Sequence, residues 1–172
     1  MSPRIPPVVP GTRAELESIE SSIIAERGHI NLLYQVLLNS GPLASGWEKL
    51  LTAIRNQNSI PADLREMVMV RVAVLNRAPY EIEAHAPLAR KAGVSEAKLQ
   101  GLHDDELGTA FTPLERAVLA LADSMTRNVQ VPDAIFEPLR KHFDVRALLE
   151  LVATVAAYNM VSRLLEALRI GH

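Results

Sequence analysis

Four side chains between positions 66 and 85 have the types and spacing for proton chemistry. Glu66 stands near the start of an almost wholly apolar run, and Tyr80, Glu81 and His85 follow in the next segment. Glu81 and His85 are four residues apart, so on a helix they share one face. Ile82, Ala86 and Ala89 lie near that face, which predicts an inward His85. Ionisable groups on buried faces are costly unless paired, so they invite a functional account. An imidazole oriented by a carboxylate is a general acid or base. The plainer account is a core histidine satisfied by Glu81 or by a backbone carbonyl.

Glu66 also carries two readings. Its face turns apolar at Val70 and Ala73, and an inward carboxyl there is pushed towards its neutral form unless a cation such as His85 is near. Alternatively it is a first-turn acid favoured by the helix dipole. Tyr80 is either a proton or hydrogen-bond donor inside a pocket or an amphipathic side chain at the edge of the core. Arg71, Asn76 and Arg77 are the candidate substrate-binding residues. A guanidinium at Arg71 can hold a carboxylate by two parallel bonds, or it can form a buried pair with an acid. Further polar groups occur at His29, Asn31 and Tyr34, and at Tyr158 and Asn159. Each lines a cavity or forms a satisfied pair. Glu83, His103 and His142 read as solvent-exposed. One histidine and two acids without a ligand-spaced cluster predict no metal site.

Composition narrows the classes. The 172 residues include no cysteine, which removes disulfides, thiolate metal sites and any catalytic thiol. Cysteine-free composition is compatible with a cytoplasmic location. The net charge is −2, and no dense basic run occurs, so nucleic acid is not an expected partner. The start, MSPRIPPVVPGTR, has no charged region leading into an apolar run and reads as a Pro-rich arm over 1–11 rather than a signal peptide. Met67 to Leu75 is too short to span a bilayer and contains Arg71, so no membrane association is expected. The length suits one domain over 1–172.

Helical periodicity must position these residues. Thr12 and Glu15 have capping-box spacing and predict a helix to about Arg27. Segments follow over 29–39 and 42–57. Pro61 opens a helix to about Arg77 that is apolar on most sides. Its many valines would also permit a strand, but its length and flanking charges favour a helix. Pro79 opens the next, ending at Gly93, with a kink expected at Pro87. A short helix spans 95–102, and Thr112-Pro113-Leu114-Glu115 starts one to about Asn128. Val131-Pro132 opens another, interrupted at Pro138, and Asp144 caps a long closing helix to about Arg169. The fold class is all-α, a bundle of seven to eight helices.

The stretch REMVMVRVAVLNRAPYEIEAHAPLARKAGVS, from Arg65, resembles the carboxymuconolactone decarboxylase and alkyl hydroperoxidase D family. AAYNMVSRLLEALRI and NLLYQVLLNSGPLASGWEKL resemble its closing and early helices. The resemblance implies an alkyl hydroperoxidase D-like bundle. In the peroxidase branch two cysteines precede the family histidine. If that histidine is His85, their positions fall on Ala78 and Glu81, and the proton-relay glutamate falls on Glu66. The acid and imidazole are present and both thiols are absent. Thiol peroxidase chemistry needs a thiolate to attack and a second thiol to resolve, so this chain cannot perform it.

The decarboxylase branch is the better match. It implies a cofactor-free acid/base enzyme, a lyase acting on a small organic acid or lactone. His85 would be the acid/base, positioned by Glu66 or Glu81, with Arg71, Arg77 or Tyr80 stabilising an anion. Two alternatives stand beside it: a non-catalytic ligand-binding or structural oligomer, with Met67–Leu75 as interface, and an isomerase or dehydratase on the same scaffold. The resemblance also implies a homo-oligomer, a trimer or hexamer.

Overall fold

The computed structural model describes residues 2–171 and contains, among them, nine α-helices, two short 3-10 turns and no strand. The count is one above seven to eight, and the segment opened by Val131-Pro132 is the four-residue helix Asp133–Phe136 followed by a 3-10 turn, Glu137–Lys141. The chain groups into two compact units. One comprises the chain up to Gln57 with the segment from Leu165 onward, and the other is Asn58–Leu164.

The first unit contains α1 (Glu17–Arg27), α2 (Leu32–Leu37) and α3 (Gly41–Asn56). The Thr12–Glu15 capping box does not form. The Thr12 hydroxyl donates to the Val9 carbonyl at 2.6 Å, and a 3-10 turn, Ala14–Leu16, precedes α1. Gly28 ends α1 in the left-handed conformation with φ 77°, where a Cβ would be strained. The α2 helix starts later than the pattern suggests, at Leu32, because the Asn31 side chain accepts from the Tyr34 N–H as a cap. The Pro-rich arm lies along this unit. Val8 N–H donates to the Gln35 carbonyl, Asn39 Nδ2 to Pro6, and Arg4 N–H to Leu168.

The second unit contains α4 (Ala62–Leu75), α5 (Pro79–Lys91), α6 (Glu96–Gly101), α7 (Pro113–Asn128), α8 (Asp133–Phe136) and α9 (Val145–Leu168, whose last turn counts with the first unit). The α4 helix packs against α5 and α7. Its run from Met67 to Ala73 is buried to 1% exposure or less. Valine costs only a few tenths of a kcal/mol in a helix, whereas burying each side chain returns about 1.5–3 kcal/mol. Packing therefore decides the strand-or-helix question. It also makes Met67–Ala73 core within one chain rather than an interface.

The α5 helix runs unbroken through Pro87. Pro87 and Glu83 are both exposed, so the Glu83 carbonyl, deprived of its N–H partner, faces water. The capping box at Thr112 forms in full: Thr112 Oγ1 accepts from Glu115 N–H, and Glu115 Oε2 accepts from Thr112 N–H at 2.8 Å. Among the described residues, α9 is the one helix long and apolar enough to cross a bilayer by length and composition. Over half of its most apolar window is buried inside the protein, as in a core helix.

Candidate active site

Two helices bring the acid and the imidazole together. The buried face of α5 carries Glu81, His85 and Ala89 at four-residue steps. Facing it, α4 carries Glu66, which is 7% exposed. Glu66 Oε2 lies 2.7 Å from His85 Nδ1, and Glu81 Oε2 lies 3.4 Å from Nε2. The Tyr158 ring from α9 meets the imidazole edge-on, with centroids 4.9 Å apart and planes at 84°. An imidazole held between a core helix, its own helix and a ring has little freedom to rotate.

Burial alone pushes the His85 imidazole towards its neutral form. The hydrogen bonds and negative charges of Glu66 and Glu81 outweigh that and hold its pKa above the usual histidine value. An imidazolium donates from both nitrogens, which suits a carboxylate oxygen at each. The 2.7 Å contact is a full charge-assisted bond. The 3.4 Å contact is looser, so the Nε2 side is the one that can be exchanged for another acceptor.

Tyr80, at the start of α5, is half-buried. Burial first, and then the Glu81 charge, raise its phenol pKa, so it is a proton-bearing donor at neutral pH. No hydrogen bond joins it to His85 among the described residues.

The three candidate substrate-binding residues are placed differently. Arg71 is fully buried. Its Nε and Nη2 make a fork with Asp123 at 2.7 and 2.6 Å, and its Nη1 donates to the Leu102 and Asp104 carbonyls, both at 2.7 Å. This is the buried pair with an acid rather than an open carboxylate clamp. Asp123 had no sequence signal beyond being an acid within the α7 helix. Asn76 Nδ2 donates to the Val72 carbonyl and to Asn159 Oδ1 at 3.0 Å. Asn159 passes the chain on to Thr126 Oγ1 at 2.9 Å, so both amides bridge α4, α7 and α9. Arg77 is exposed just beyond α4. Of the other polar groups, Asn31 is a helix cap and Tyr34 packs under the Arg27 guanidinium, 4.9 Å from the ring centroid. His103 and His142 are exposed as expected. Among the described residues, no three or more His, Asp or Glu groups converge in an arrangement for a metal ion.

Comparison with known proteins gives the family and the fold. The sequence profile of the carboxymuconolactone decarboxylase family matches residues 42–124, which include Glu66, Glu81 and His85. The chain belongs to the carboxymuconolactone decarboxylase family. The uncharacterized protein YdfG of Bacillus subtilis is 30% identical over 110 residues, covering 63% of this chain and 75% of that protein. Among solved structures, an alkylhydroperoxidase AhpD core protein from Ralstonia eutropha superposes with a TM-score of 0.80 at 19% identity, over 98% of this chain and 90% of that one. The debrominase Bmp8, solved with 2,3,4-tribromopyrrole, gives 0.78 at 18% identity, over 97% and 90%. These structures share the all-helical, alkyl hydroperoxidase D-like fold of this chain.

Proposed function

We propose that this family member is a cofactor-free acid/base enzyme that decarboxylates a small organic acid or lactone. The observation that carries the reading is His85, buried and held with a carboxylate oxygen at each ring nitrogen. Decarboxylation breaks a carbon–carbon bond. The electron pair moves into an adjacent unsaturated carbonyl, CO2 leaves, and the resulting enolate needs a proton on carbon. An imidazolium supplies that proton from Nε2, the nitrogen with the looser partner. Glu66 on Nδ1 fixes the ring and stabilises its charge, and once a proton from solvent has restored the imidazolium, Nε2 donates to Glu81 again. Tyr80, protonated and beside Glu81, is the donor suited to the developing oxyanion. Arg71, already committed to Asp123 and two carbonyls, is less suited to that role than Tyr80.

The same reading includes a homo-oligomer. Val145, Leu149, Ala156 and Met160 are exposed along one side of α9, an apolar stripe that a second copy would cover.

The test is CO2 release from a panel of small lactone acids and β-keto acids, comparing the native protein with His85→Gln and His85→Ala at matched folding. A positioned proton donor is worth about 10²–10⁴ in rate, so both variants should lose activity by that order. Equal release by the variants would remove His85 from the mechanism. Conversion without CO2 would assign an isomerase or dehydratase instead.

A further inference from the structure

A polar cleft lies in the Asn58–Leu164 unit, and its walls do not include His85, Glu66 or Glu81. It has a volume of about 240 Å³ and is formed by the end of α4, the turn after it, the loop after α6 and the end of α7. Arg71, Arg77, His103, Asp104, Asp105 and Arg127 line it. We propose that this cleft binds a small oxyanion, a carboxylate- or phosphate-bearing molecule, between Arg77 and Arg127 with Arg71 behind them.

Three observations support this. First, the buried Arg71 spends four of its five N–H groups on Asp123 and on the Leu102 and Asp104 carbonyls. Those bonds neutralise its charge and fix the loop that forms one wall. Second, Arg77 has no ion pair and no side-chain hydrogen bond among the described residues. Its backbone is left-handed, with φ 56°, a conformation uncommon outside glycine and asparagine. Third, Arg127 meets Asp105 at 3.7 Å, and the Asp105 side chain is fully exposed. A contact that long to a hydrated carboxylate contributes little, so an incoming anion can replace it. Guanidinium forks match planar carboxylates and phosphate edges in a way a point charge does not.

The acids at the mouth set a limit on the ligand. Asp104 and Asp105 balance Arg77 and Arg127 in charge, so bulk anion attraction is weak and selectivity must come from directed bonds. Chloride at equal ionic strength should therefore not substitute.

The test is amide chemical-shift titration of the full chain with inorganic phosphate and, separately, citrate, at constant ionic strength with sodium chloride as the control. Saturable shifts at 71–77, 103–105 and 127, with at least a tenfold weaker affinity in Arg77→Ala and in Arg127→Ala, are expected. Saturation by citrate alone would assign a carboxylate ligand, and by phosphate alone a phosphate one. Both arginines are exposed, so the variants should melt as the native protein does. Shifts that stay linear, that chloride reproduces, or that persist in the Arg77→Ala/Arg127→Ala double variant would overturn the proposal.

Discussion

Glu66 and His85 are 19 residues apart in the chain, yet Oε2 and Nδ1 approach to 2.7 Å in the buried space between α4 and α5. That bond, rather than the contact with Glu81 four residues away in the chain, is the first of the influences that raise the imidazole pKa against burial. Glu66→Gln keeps the shape and removes the charge. The His85 pKa should fall in this variant, and fall less in Glu81→Gln, whose contact is longer. Imidazole 15N shifts followed against pH read this directly. An unchanged titration in Glu66→Gln would show that the pair is not electrostatically coupled.

The same shift makes stability depend on pH, with a definite sign. His85 binds its proton more tightly folded than unfolded. Its contribution is therefore fully present below the unfolded value, about 6.5, and is lost as pH rises through the higher folded value. Urea unfolding midpoints should decline across that window in the native protein and flatten in His85→Gln. A midpoint that rises there would contradict the assignment of an imidazolium.

Arg71 and Asp123 predict a large packing effect. Asp123→Ala leaves a buried guanidinium without its carboxylate, a change that costs about 3–5 kcal/mol in comparable sites. The loss should appear as a marked drop in thermal midpoint. Replacing both partners, as in Arg71→Met with Asp123→Leu, should recover part of it, since no uncompensated charge remains. No drop in the single variant would mean the pair is dispensable.

Two threonines with the same capping-box spacing should behave differently. Thr112 caps α7 reciprocally with Glu115, so Thr112→Ala should cost about 1 kcal/mol. Thr12 only donates to the Val9 carbonyl on an exposed turn, so Thr12→Ala should stay within about 0.5 kcal/mol. Equal losses on denaturant unfolding would show that the two turns are energetically alike.

Some of this molecule was legible in its residues alone. Period, proline placement and the absence of cysteine determined an all-α chain without thiol chemistry. Four-residue spacing put Glu81 and His85 on one face because helix geometry is local. The capping box at Thr112 formed as read, since every group it needs lies within four residues. The spacing at Thr12 was the same, but the chain enters a 3-10 turn there with Arg13 at its N-cap, so the Thr12 oxygen is not at the capping position.

The tertiary structure decided what depends on partners distant in the chain. Glu66 became a buried partner of His85, and not merely a first-turn acid, only because α4 packs on α5. Arg71 became a closed pair because Asp123, 52 residues away, arrives on α7. The valine-rich α4 is a helix because burial on every side outweighs its weak local preference. Tyr158, one polar group among several in the last helix, stands against the imidazole only because α9 returns there. Local periodicity states which face a side chain occupies. Which groups meet across two faces is set by the packing of helices, and that is where the charge of His85 is decided.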